Sequence, residues 1–143
     1  MWWISHLWVI GLQIAAFIPY IIGSHRFYHN KPNFMLWLII AVILDVIMTI
    51  IASSGILPRM HDNQTIPTSS ILFIAHIVCA GTGMFGFMGM IIYLWVKGYT
   101  GDFPRLKKFQ YRWLLPLWIV GVSIALINFI IKVIFGIRIY DIL

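Results

Sequence analysis

Acidic side chains are almost missing from this chain of 143 residues. There is no glutamate, and the four acids are Asp45, Asp62, Asp102 and Asp141. Charged residues of both signs make up only 10% of the sequence, while hydrophobic residues make up 62%. A soluble domain of this length cannot hide that much apolar surface, so a water-soluble globular class is excluded and a bilayer is expected to act as solvent. A single cysteine, Cys79, rules out an intrachain disulfide and any CxxC metal site. It falls in an apolar run and reads as a small packing residue. The sequence has no GxSxG, HExxH or phosphate-binding glycine loop, and no catalytic triad pattern. The chain is therefore read as a non-enzyme, with no soluble substrate evident. No basic run is interleaved with stacking aromatics, so its charge of +6 does not point to nucleic acid. In a membrane protein such an excess reports topology and contact with anionic lipid.

What is present is four long apolar runs, at about residues 4–23, 34–57, 70–96 and 113–136. Each is long enough to cross ~30 Å of hydrocarbon at ~1.5 Å per helical residue. The linking segments carry the helix breakers: Gly23 and Pro32, then Pro58 and Pro67, then Gly98, Gly101 and Pro104. No repeat or low-complexity tract interrupts them, and the whole chain reads as one domain, residues 1–143. The N-terminal stretch WWISHLWVIGLQIAAF has no basic flank and no small-residue cleavage site, so it is expected to be a retained first span.

Basic residues set the expected orientation. Arg26 and Lys31 lie in the first loop, and Lys97, Arg105, Lys107, Lys108 and Arg112 in the third; Arg59, Lys132 and Arg138 lie on the other side. The positive-inside rule then places loops one and three in the cytoplasm, with both termini outward, in a cytoplasmic (inner) membrane. Short loops favour an all-α, up-down bundle of four transmembrane helices. Trp2, Trp3 and Trp8 fall near the outer surface, and Trp95, Trp113 and Trp118 near the inner one, as an aromatic belt requires.

This topology converts position into depth. Counted from the outer ends, Gln13 lies about 15 Å down, Asp45 about 18 Å, Thr49 and Asn128 about 12 Å, and His76 about 10 Å. Each span thus contributes a polar side chain to one layer. A carboxylate near mid-membrane costs roughly 2.5–3.5 kcal/mol on insertion scales, so Asp45 should face the bundle and find a partner. Two roles fit this layer. It can join helices by hydrogen bonds, or it can hold an ion, proton or cofactor. For His76, a ring nitrogen held by Asn128 or Thr49 is expected. On the same span Ala75, Cys79, Gly83, Gly86 and Gly89 form a small-residue stripe, which suits close helix approach or leaves room for a flat cofactor.

Three histidines fall on the outer side. His6, His61 and His76 could ligate copper or another transition metal, with Met60 or Asp62 beside His61. A b-type haem would need facing axial ligands, for which His76 and His6 are the available pair. His25 and His29 have i,i+4 spacing, but at the inner end of a span they read as interfacial side chains.

The stretches ILFIAHIVCA and YRWLLPLWIVGVSIALINFII, with a basic loop between, resemble the YozB-like family of small four-span bacterial membrane proteins. The features carrying the resemblance are His76 early in one span and Pro116-Leu117-Trp118 at the start of the next, with NKPNFM as the lead-in to an earlier span. The resemblance extends loosely over residues 23–135. It implies a link to terminal-oxidase biogenesis or respiratory chains, and a haem or copper role for the family's histidines. Lys31 or Pro32, and Tyr111 or Arg112, stand where that pattern has histidines, while His61 answers to the one after the second span. Incomplete ligands, small size and scant extramembrane mass favour a non-enzymatic accessory subunit of a larger membrane redox complex. Its partners would be larger integral membrane subunits and lipid. The alternative is a haem or copper carrier in oxidase assembly.

Overall fold

A computed structural model describes residues 2–53, 70–98, 101–137 and 139–141, with the side chains of residues 2–9, 52–53 and 141 excepted. Within these residues all regular structure is helical. The long helices are α1 (Trp2–Tyr28), α2 (Phe34–Ser53), α3 (Ile71–Lys97) and α5 (Leu115–Phe135). A short α4 (Pro104–Phe109) and a π-helical turn (Gln110–Leu114) lead directly into α5, and a 3₁₀ turn (Ile139–Asp141) follows it. Three stretches are long and apolar enough to cross a membrane: Phe34–Ile51, Ile71–Lys97 and the continuous Pro104–Phe135. Helix α1 is the least apolar of the long helices, because Gln13, Pro19 and the Ser24-His25-Arg26 end interrupt its aliphatic run.

Helix α1 packs on α2 and α3 on α5, with α2 against α3 and α1 against α5 closing the ring. Neighbours run in opposite directions. Gly23 meets Leu38 while Tyr20 meets Asp45, and Gly83 meets Trp118 while His76 meets Gly121. The core holds Trp118, Tyr20, Phe27, Phe87, Leu38 and Leu94, all essentially inaccessible. Aliphatic and aromatic side chains such as Ile14, Ile43, Phe85, Val96 and Ile134 point outward, the reverse of a water-soluble bundle.

Two boundaries differ from the sequence expectation. The helix over the first expected span does not stop at Gly23. Helix α1 runs on to Tyr28, and Asn30, with φ 55°, ends it in a Schellman motif. In that motif the Asn30 amide donates to Phe27 O at 3.3 Å and the Lys31 amide to Arg26 O at 2.8 Å. The third linker is likewise largely helical, not a loop: helix starts at Pro104, whose missing N–H costs nothing in a first turn. Pro116 explains the π turn. It has no N–H to donate and its ring crowds the carbonyl one turn back, so one extra residue is accommodated and the Leu115 amide bonds Gln110 O instead. Span ends at Ile71–Lys97 and Phe135 agree with expectation to within a residue, whereas residues 54–57 of the second expected span lie outside the described residues. Ser70 caps α3, its Oγ accepting from the Phe73 amide at 3.4 Å.

Candidate functional site

The central polar feature is Asp45, 8% exposed on α2. One of its oxygens, Oδ2, accepts from the Tyr20 hydroxyl of α1 at 3.1 Å and from the Trp118 Nε1–H of α5 at 2.8 Å. A single carboxylate oxygen thus ties three helices together. Helix periodicity makes this convergence achievable: Tyr20 follows Ala16 and precedes Ser24 at four-residue spacing, all three on the buried face of α1. Aromatic contacts hold the donors in place. Tyr20 and Trp118 have ring centroids 4.1 Å apart, Tyr20 and Phe87 4.8 Å, and Phe17 and Trp118 5.1 Å.

Glycines bring Trp118 this close. A Cβ on Gly83 would stand 2.5 Å from Trp118 Cβ and 2.8 Å from its Cα, and one on Gly121 would collide with the Ala80 backbone. Gly86 faces Leu114 in the same seam. Gly83 and Gly86 of the small-residue stripe therefore serve close α3–α5 packing, whereas Gly89 faces open space.

His76 Nδ1 lies 2.7 Å from Gly121 O, in that same seam. A carbonyl only accepts, so Nδ1 carries a proton, and in the neutral ring Nε2 then presents the lone pair. The expectation that Asn128 or Thr49 holds the ring is corrected: a backbone carbonyl does, because the two glycine-lined helices pass close enough to present it. Asn128 Oδ1 accepts instead from the Tyr140 amide at 3.4 Å, tying down the segment beyond α5. Thr49 Oγ1 donates back to the Asp45 carbonyl at 2.8 Å and approaches Met84 Sδ at 4.0 Å. Gln13 is half-buried. Asp45 and Thr49 are thus brought together; Asn128 is engaged elsewhere.

A second polar cluster lies nearer the α1–α2 turn. Gln110 Nε2 donates to Ser24 O at 3.1 Å, and both residues are fully buried. Ser24 Oγ and Gln110 Oε1 have no protein partner among the described residues. Lys107, only 6% exposed, bonds Asn30 Oδ1 and, at 2.6 Å, Asp102, with its ammonium 5.9 Å from the Phe27 ring centroid. The His25 and His29 rings lie 4.4 Å apart, tilted at 45° to each other, both exposed.

The sequence reading missed Tyr20, Trp118, Gln110 and Lys107. Trp118 was expected in an aromatic belt and is instead fully buried, while Trp95 and Trp113 are exposed as a belt requires. The available signal was arithmetic: Asp45 near mid-membrane needs donors, and Tyr and Trp are the side chains that carry one donor on an apolar body. Of the expected ligands, His61 lies outside the described residues, and so does the side chain of His6. Among the described residues no three His, Cys, Asp or Glu side chains converge as a metal site would require. No family model, curated protein or solved structure matches the chain.

Proposed function

We propose that this chain is a non-enzymatic accessory subunit of a larger integral membrane complex, of the redox or respiratory kind that the YozB-like resemblance implies. It sits in the inner membrane as a four-span bundle, with both termini outward and loops one and three in the cytoplasm. The observation that carries the reading is the Asp45 clamp. The most costly polar group of the expected spans accepts from Tyr20 and Trp118, and so joins helices. Thr49 and Asn128 also bond within the chain. The outward surface is aliphatic and aromatic, at Phe85, Ile92, Val120 and Ile134 among others, so lateral contact in the plane of the lipid is its main route to a partner. Affinity purification of the tagged chain in mild detergent tests this. Stoichiometric recovery of larger membrane subunits is expected, and elution as a colourless monomer would remove the support.

One observation favours the second reading, a haem or copper carrier. The hydrogen bond from Nδ1 to Gly121 O orients the His76 ring and leaves Nε2 for a metal. His76 would be one ligand, with His6 and His61 the others for copper, or His6 the second axial ligand for haem. A Soret band, or about one copper per chain, lost on His76→Gln, separates this reading from the first.

A further inference from the structure

At the C-terminal end of α1 the structure has a cavity of about 250 Å³ with a mixed apolar and basic lining. Apolar side chains (Ile21 and Ile22 of α1, Leu115 of α5) and basic ones (His25, Arg26, Lys31) line it, together with Tyr111. Among the described residues no acidic side chain lines it. His25, Arg26 and Lys31 lie within one short stretch of sequence, and three local features bring them to the cavity together with Tyr111 of the distant π turn. The Schellman turn folds Lys31 back over the last turn of α1. Arg26 Nη1 donates to Pro32 O at 2.9 Å, which fixes its guanidinium while leaving further N–H groups. The π turn rotates Tyr111 onto Tyr28, with rings stacked at 4.7 Å, and so places its side chain at the cavity.

From this we infer an anionic-phospholipid site: the lipid phosphate is held by His25, Arg26 and Lys31, and the first acyl carbons lie on Ile21, Ile22 and Leu115. Charge complementarity selects the occupant, because cationic groups and apolar wall meet at the level where a headgroup meets its chains. A soluble anion would use the cationic rim and gain nothing from the isoleucines. The inference needs the chain to lie in a membrane and is independent of whether it serves a larger complex.

The test is native mass spectrometry of the full-length protein in detergent, titrated with phosphatidylglycerol or phosphatidylcholine. Phosphatidylglycerol adducts are expected to persist at collision energies that strip phosphatidylcholine. Lys31→Gln should weaken phosphatidylglycerol binding about fivefold, the effect of one basic side chain near an anionic headgroup. Lys108→Gln, which removes the same charge from an exposed position outside the cavity, should leave binding unchanged. Equal loss in both variants, equal retention of the two lipids, or displacement of phosphatidylglycerol by millimolar inorganic phosphate would each overturn the proposal. Should Lys31→Gln fail to fold, the lipid comparison and the phosphate competition on the wild-type protein decide alone.

Discussion

Replacing Asp45 by leucine tests the clamp at its centre. The change keeps the branched shape and the number of side-chain heavy atoms, with bulkier methyl groups in place of both acceptor oxygens. Tyr20 and Trp118 are then left with an O–H and an N–H in surroundings where neither is accessible to solvent. Leaving a buried donor unmet costs about 1–3 kcal/mol. Interhelical hydrogen bonds measured inside membranes average about 0.6 kcal/mol and reach about 1.7, because separated helices in lipid also find partners. Two such bonds therefore give an expected loss of about 1–3 kcal/mol for Asp45→Leu. Asp45→Asn keeps an oxygen where Oδ2 stands, so both donors are met, and only any charge assistance is lost; about 1 kcal/mol or less is expected. The assay is reversible unfolding in mixed micelles of mild detergent and SDS, followed by tryptophan fluorescence. The reference state has the helices already inserted, so the insertion cost of the carboxylate largely cancels between variants. Asp45→Leu as stable as Asp45→Asn, or more stable, would refute the clamp.

Single donors should behave in proportion: Tyr20→Phe should lose about 0.5–2 kcal/mol, and a double-mutant cycle against Asp45→Leu should show that loss largely vanish once the acceptor is gone. Trp118→Phe should lose more, because the smaller ring also leaves a cavity in the core, and only its hydrogen-bond part should vanish in the same cycle. Gly83→Ala and Gly121→Ala should destabilise the bundle in the same micelle assay, since the new Cβ meets backbone, whereas Gly89→Ala should be neutral or stabilising by up to about 1 kcal/mol. His76→Gln should preserve elution volume and unfolding midpoint, because an amide N–H can replace the imidazole donor to Gly121 O; aggregation of this variant would show that the ring does more than bond one carbonyl. Pro116→Ala should allow regular α-helical bonding through residues 110–115 and loosen the Tyr111–Tyr28 stack, read as a change in tyrosine accessibility to a quencher.

Hydropathy made the apolar spans legible, because length and composition alone decide whether a helix can replace water with lipid. Asp45 was legible as a residue needing a partner for the same reason of cost. Its donors were not, because Tyr20 and Trp118 are ambivalent side chains. The same indole can lie at the headgroup level or supply a donor in a core, and only the glycine seam at Gly83 and Gly121 decides which. The C-terminal end of α1 was hidden for a different reason. Gly23 and Pro32 look like the limits of a loop, yet Gly23 lies in mid-helix against Leu38, and asparagine at residue 30 supplies the left-handed turn more often made by glycine. The π turn was beyond the pattern altogether, since it depends on one proline displacing a single backbone bond.

Site-specific photo-crosslinking addresses the central claim most directly, because it reads the outward faces of the helices in intact membranes. A benzophenone amino acid would be placed in turn at the exposed positions Ile43, Phe85, Ile92, Val120 and Ile134. An accessory subunit predicts that positions sharing one face capture the same larger membrane protein, while the remaining positions give only lipid adducts. Lipid adducts at all five positions, with no protein captured at any, would contradict the account.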